Sequence, residues 1–178
     1  EMRIVDPESR TPLGLREVGE VAVRGSIVMK GYYNNPQETA RVVDGEGWLY
    51  TGDAGFVDED GFLYLTDRIK DMIISGGENI YPAEVENVIC SMPGVREAAV
   101  VGVPDEKWGE RVLAFVVPHS GITIEPAEVI TYTRDRLAHY KCPREVVIRD
   151  EPLPLNPTGK ILRRVLREPY WKDSIFKI

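Results

Sequence analysis

The chain has 178 residues, 43% hydrophobic and 29% charged, the balance of a folded protein with a core rather than of a disordered one. Its 22 Lys and Arg against 29 Asp and Glu give a net charge of −7, which argues against a nucleic-acid binder, since that would carry a basic footprint. No apolar run approaches the ~18 residues of a bilayer span, Glu1-Met2-Arg3 opens no secretory signal, and two cysteines are too few for a disulfide framework or a four-cysteine zinc site.

A reduced, cytoplasmic setting is therefore expected, with no metal site and no transmembrane segment. Residues 2–6 and 19–25 alternate apolar and polar and predict short strands, with turns at Pro7 and at Pro12-Leu13-Gly14. Residues 36–43 predict a short helix with Pro36 in its first turn. Residues 48–51 predict a strand that ends at Gly52-Asp53. Asp58-Glu59-Asp60-Gly61 predicts a hairpin turn between residues 55–57 and 62–65. These strands have little helix to cover them, and the strand pattern already under way at Glu1 reads as that of a fragment.

From Lys70 the pattern alternates strand and helix. Residues 72–74 predict a strand followed by Ser75-Gly76-Gly77. A helix over 82–89 places Val85, Val88, Ile89 and Met92 on one face, with Cys90 expected to pack there too, and Pro93-Gly94 stops it. Residues 98–103 and 112–117 are continuous apolar runs of strand length. A second helix is predicted over 126–138 with Val129, Ile130, Thr133 and Leu137 inward, then a strand over 145–148. After a proline-rich loop a terminal helix is predicted over 160–166. The expected fold is α+β: a small C-terminal domain over 70–178, with a short mixed sheet packed against helices, preceded by a mostly β segment over 1–69.

Charge is unevenly spread. Residues 134–178 hold eleven basic and six acidic side chains, and the rest of the chain holds eleven basic and twenty-three acidic ones. A basic segment on an acidic protein suits a local anion site, and equally a solvated charged face.

Four stretches carry residue types suited to phosphate and nucleotide handling. In Tyr50-Thr51-Gly52-Asp53 the carboxylate is suited to accept both hydroxyls of a ribose, although an Asp after Gly also forms turns. Asp67-Arg68-Ile69-Lys70-Asp71 sits at the change in pattern. Arg68 offers a planar fork for phosphate or ribose oxygens, and rotation at Lys70 would swing one architecture against the other; a plain charged linker has the same composition. In Ser75-Gly76-Gly77-Glu78-Asn79 the paired glycines permit positive φ and close approach of a ligand, or simply a tight turn. In Pro152-Leu153-Pro154-Leu155-Asn156-Pro157-Thr158-Gly159-Lys160 the prolines stiffen the loop so that Lys160 projects from a helix start. An ammonium there suits oxygens that gain charge in a transition state, and a solvated lysine is the plain alternative.

These stretches, together with Gly31-Tyr32-Tyr33-Asn34-Asn35-Pro36, Tyr81-Pro82-Ala83-Glu84-Val85-Glu86 and Pro104-Asp105-Glu106-Lys107-Trp108-Gly109-Glu110, resemble in order and spacing the adenylate-forming superfamily. That superfamily includes acyl-CoA synthetases, firefly luciferase and nonribosomal peptide adenylation domains. The resemblance is closest to bacterial fatty acyl-CoA synthetases, covers only their C-terminal part, and thins after about Glu168.

The resemblance implies an AMP-forming acid–thiol ligase as the intact protein. A carboxylate, for which a fatty acid is expected, joins ATP to give an acyl-adenylate and pyrophosphate; the thiol of CoA then displaces AMP. It implies that Asp53 holds the ribose hydroxyls of ATP or AMP and that Arg68 contacts the ribose or phosphate. Lys160 is implied as the catalytic cation between carboxylate and α-phosphate, and Lys70 as the hinge. Gly76, Gly77 and Trp108 are implied at the pantetheine arm of CoA, although core packing is an equal role for Trp108. Lys141 and Arg144, in Tyr140-Lys141-Cys142-Pro143-Arg144, are implied near the CoA phosphates, with Cys142 standing where some relatives have a basic residue. Residues 1–69 would be the last β-rich subdomain of a larger N-terminal adenylation domain, and 70–178 the mobile C-terminal domain. The phosphate loop, the acyl pocket and the carboxylate that holds magnesium with ATP would belong to the missing N-terminal part, so the fragment alone is expected to be inactive. The alternatives are an aryl or other carboxylic acid–CoA ligase, a carrier-protein-dependent adenylation domain, and a non-catalytic module that binds CoA or a protein.

Overall fold

The computed structural model describes residues 1–172. The chain divides into two compact units, Glu1–Lys70 and a second that begins at Asp71.

The first unit is a four-stranded antiparallel sheet in the order β1-β2-β3-β4, from β1 (Met2–Val5), β2 (Gly19–Arg24), β3 (Trp48–Val57) and β4 (Leu63–Arg68). Its small core is Val5, Ala22, Trp48 and Tyr50. The guanidiniums of Arg3 and Arg24 lie 3.9 Å and 4.6 Å from the Trp48 ring, so this indole is buried under cations as well as carbon. Helix α1 (Pro36–Val42) starts as expected, with Pro at its first turn and the Asn35 side chain accepting from the Glu38 N–H. The hairpin of β3 and β4 turns where predicted. Asp58 accepts from the N–H groups of Asp60 and Phe62, and Gly61 takes a φ of +84°.

One expectation fails here. Strand β3 does not end at Gly52-Asp53 but runs on to Val57. Against β2, Tyr50 pairs with Ala22 and Ala54 with Glu20, so Thr51, Gly52 and Asp53 form a bulge within the strand. Gly52 supplies the positive φ, +73°, that the bulge requires.

The second unit has a five-stranded mixed sheet from β5 (Ile73–Ser75), β6 (Glu78–Ile80), β7 (Val95–Asp105), β8 (Gly109–Pro118) and β9 (Glu145–Ile148). The path is β6-β5-β8-β7, and β9 lies parallel to β8. The long β7–β8 hairpin is apolar without alternation because both its faces are covered. One face (Ala98, Val100, Val112, Ala114, Val116) packs with Val85 and Ile89 of α2 (Pro82–Cys90) and Val129 of α3 (Pro126–Arg134). The other (Ala99, Val101, Leu113, Phe115) packs with Leu153 and with Leu166 of α4 (Arg163–Trp171). This is the α+β arrangement expected, with helices on both faces of the small sheet.

Three local expectations are corrected. Helix α3 stops at Arg134, not at residue 138: the Arg136 N–H donates to the Thr133 carbonyl in a tighter turn, and Ala138 (ψ 139°) then leads into a 3-10 turn over His139–Lys141. Leu137 still reaches the core from outside the helix. The terminal helix begins at Arg163, not at residue 160. Leu155 bridges Ile161 and the Leu162 N–H donates to the Pro154 carbonyl, so those backbone groups are engaged across the loop. Cys90 is exposed rather than packed on the core face, since it lies about 100° around the helix from Ile89.

Candidate functional site

In the first unit the β3 bulge brings Asp53 opposite Arg68 in the β3–β4 register. The Arg68 Nη1 donates to Asp53 Oδ1 at 2.6 Å, and both side chains remain solvent-accessible. Thr51 fixes the bulge from within, its hydroxyl donating to the Val21 carbonyl and accepting from the Asp53 N–H. The Gly52 N–H donates to Glu20 Oε1. A carboxylate and a guanidinium are thus held side by side on a fixed backbone, an arrangement able to accept from vicinal hydroxyls and donate to a phosphate.

The second unit carries a different arrangement at the turn between β5 and β6. Ser75 pairs with Glu78, leaving Gly76 and Gly77 as a two-residue loop with φ of +62° and +86°. Positive φ at both central residues is the pattern of a type I′ hairpin turn, which explains the pair of glycines. The Gly76 N–H donates to the Trp108 carbonyl at 2.8 Å. Trp108 is half-buried, its indole lying directly on Gly76. The loop that carries it is pinned by Asp105, whose Oδ1 accepts from the N–H groups of Lys107 and Trp108.

Two cations flank the indole: Lys107 Nζ at 4.7 Å and the Arg144 guanidinium at 5.0 Å from the ring. The aromatic is therefore packed on Gly76 and has two positive charges close to its ring. Lys107 was not among the residues expected here; its place beside Trp108 in the sequence was the only hint. A glycine turn, a flat aromatic and two cations suit a ligand with a narrow apolar arm and anionic groups.

The remaining expected residues have surroundings of their own. Lys141 donates to both oxygens of Glu84 at 2.7 Å, so its charge is already compensated. Cys142 is buried, with its thiol 3.5 Å from the Ala138 carbonyl, and burial raises its pKa. That position faces inward, so a phosphate contact from it is not available. Lys70 is exposed in a 3-10 turn over Ile69–Asp71, where the first unit ends.

Lys160 is exposed on a loop that bonds to itself. The Asn156 side chain accepts from the Thr158 N–H, the Thr158 hydroxyl and the Lys160 N–H, and the Asn156 N–H donates to the Lys160 carbonyl. Gly159 turns the chain with a φ of +82°. Lys160 has no side-chain partner among the described residues. Among the described residues, too, no cluster of three or more His, Cys, Asp or Glu is arranged to hold a metal, and no helix is long and apolar enough to cross a membrane.

Residues 84–160 match the family model described as the AMP-binding enzyme C-terminal domain. The chain is 51% identical over 152 residues to the long-chain-fatty-acid–CoA ligase FadD13 of Mycobacterium tuberculosis, an alignment covering 85% of this chain and 30% of that protein. It is 48% identical over 170 residues to a feruloyl-CoA synthase of Amycolatopsis, covering 96% of this chain and 34% of the relative. The crystal structure of ATP-bound MatB from Rhodopseudomonas palustris superposes with a TM-score of 0.89 at 42% identity, over 97% of this chain and 34% of that one. The chain thus spans about a third of the length of the relatives it matches.

Proposed function

We propose, from the premise that this chain carries the C-terminal domain of the AMP-binding enzyme family through residues 84–160, that it is the C-terminal part of an ATP-dependent acyl-CoA synthetase. In the first step a carboxylate oxygen attacks the α-phosphorus of ATP and pyrophosphate leaves. In the second, the CoA sulfur, having lost its proton, attacks the acyl carbon and AMP leaves. Two anions must meet in the first step, and a cation between them lowers their repulsion and the barrier.

Lys160 is our candidate for that cation, and its presentation carries the reading: a loop locked by Asn156 holds out an ammonium with no side-chain partner among the described residues. Asp53 would accept from the ribose hydroxyls and Arg68 would donate to the ribose or phosphate. Gly76 and Gly77 would flank the pantetheine arm beside Trp108, with Arg144 and Lys107 near the CoA phosphates. We assign Lys141 a secondary role there, because binding would first have to release it from Glu84.

We assign the hinge to Lys70, supported by the boundary of the two compact units directly after it. The first unit would be the last β-rich subdomain of the adenylation domain, and the second the mobile C-terminal domain. Magnesium accompanying ATP would be held by the part of the protein not in this sequence. Two free cysteines fit a cytoplasmic setting. For the acid we favour a fatty acid; the feruloyl-CoA synthase at similar identity keeps an aryl acid as the second reading.

The test is the product pattern of the intact enzyme. Carboxylate-dependent pyrophosphate release followed by CoA-dependent AMP release supports the reading, and fatty against aryl acids as substrates decides between the two acids. The present chain alone is expected to release no pyrophosphate, and release by it would overturn the division of labour.

A further inference from the structure

Arg163 is the first residue of α4, three residues beyond Lys160. Its Nη2 donates to both oxygens of Glu86, at 2.9 Å and 2.7 Å, and its Nε lies 3.3 Å from Oε1. Nη1 is 3.7 Å from Asp71 Oδ2. Glu86 belongs to α2, and its Oε1 also accepts from the Val100 N–H of β7 at 2.8 Å. The Arg163 and Glu86 side chains are only 20% and 13% exposed, so this pair is shielded from solvent in a way the surface ion pairs are not. One carboxylate therefore ties three elements together at the base of the Lys160 loop.

The other limb of that loop is anchored separately. The Leu153 N–H donates to Glu97 Oε2 at 3.1 Å and its side chain is buried. Between these anchors the loop is bonded to itself, so its direction is set by its two ends. Helix α4 is also held further along, by buried Leu166 and by the Trp171 Nε1–H donating to the Gly102 carbonyl. Losing Arg163 would leave the helix docked and free its first turn, to which the Lys160 loop is joined through Ile161 and Leu162.

We propose that Arg163, through its fork on Glu86, is a positioning residue that aims Lys160 in the adenylation step; this rests on the reading of Lys160 as the activating cation. A planar guanidinium defines direction as well as distance, which an ammonium in its place does not. A misplacement of about 1 Å in such a group costs on the order of 100-fold in rate.

The test measures the two steps of the intact enzyme separately, as carboxylate-dependent ATP–pyrophosphate exchange and as thioester formation from supplied acyl-adenylate, beside a thermal melt. Arg163→Ala is expected to lower the exchange rate by about 100-fold, and Arg163→Lys, which keeps charge without the fork, by about 10-fold. Thioester formation from the supplied adenylate stays near the parent's rate. Glu86→Gln should lower exchange as well, and the double variant Glu86→Gln/Arg163→Lys should be less than additive. Where Arg163→Ala fails to fold, the same two rates measured on Arg163→Lys decide the matter. Equal losses in both steps, or no loss of exchange, overturn the positioning role. Lys160→Ala is the control that separates the two claims: if it leaves exchange intact, the reading of Lys160 itself fails, whereas a defect there with none at Arg163 defeats only this inference.

Discussion

A methyl group built on Gly76 would sit 2.6 Å from Cε3 of Trp108, so the glycine and the indole are fitted to each other. Neighbouring Gly77 meets nothing within 4 Å. Both have left-handed backbone, but only one is also filled from outside. Gly76→Ala is thus expected to destabilise the second unit by about 1–3 kcal/mol through strain and collision together, and Gly77→Ala by about 1 kcal/mol through backbone strain alone. Urea unfolding followed by circular dichroism compares them; equal losses would show that the indole yields freely.

Trp108 and Arg144 should matter to the second step and not to the first. In the intact enzyme, Trp108→Ala and Arg144→Ala are each expected to raise the KM for CoA about tenfold, the scale of a lost cation–aromatic or charged contact. The KM for ATP should hold. The Arg144 effect should weaken as salt is added, because exposed charges are screened. Steady-state kinetics at two ionic strengths measure both.

Asp53 and Arg68 form an exposed pair, and exposed pairs contribute about 0–1 kcal/mol to stability. Asp53→Asn should barely move the unfolding midpoint of this chain. In the intact enzyme it should raise the KM for ATP by roughly 10- to 100-fold, the scale of lost charged hydrogen bonds to a ribose. A large stability loss with normal ATP binding would make the pair structural.

Glu110 and Asp58 should respond to pH in opposite senses. Burial raises the Glu110 carboxyl above its ordinary value, with the Arg167 charge and a backbone hydrogen bond at Ile74 pulling it down less strongly. A carboxyl raised in the folded state stabilises below its unfolded pKa, and that contribution is lost as pH climbs through the folded value. Asp58 is held low, first by the Phe62 N–H; its contribution is present above the ordinary value and is lost as pH falls through the lowered one. Glu110→Gln is therefore expected to raise stability at neutral pH, with the gain shrinking in acid. Asp58→Asn should lower stability at neutral pH, with the loss shrinking in acid. Denaturant midpoints at neutral and acidic pH test both signs.

The sheet of the second unit was legible because its signals are local. Two unbroken apolar runs, residues 98–103 and 112–117, are what a hairpin covered on both faces must look like. Helix α2 was legible from the spacing of Val85 and Ile89 and from Pro93-Gly94 behind it. What escaped was set by pairings that no local periodicity announces. Asp53 read as a strand end because the bulge depends on β2, some thirty residues earlier. Residues 160–162 read as helix because their apolar and basic side chains suit one, yet their backbone pairs back across the loop. Arg163 and Glu86 are 77 residues apart, and no periodicity links them. Trp108 was ambiguous between packing and ligand contact, and it is half-buried on Gly76 with cations at its ring.

Lys160 carries the greatest weight in the proposed mechanism, and the direct measurement is carboxylate-dependent ATP–pyrophosphate exchange by the intact enzyme carrying Lys160→Ala. The predicted result is a loss of at least about 100-fold, as for removal of one preorganised electrostatic contact, with an unchanged melting temperature because the ammonium has no side-chain partner among the described residues. Exchange at the parent's rate would contradict the mechanism.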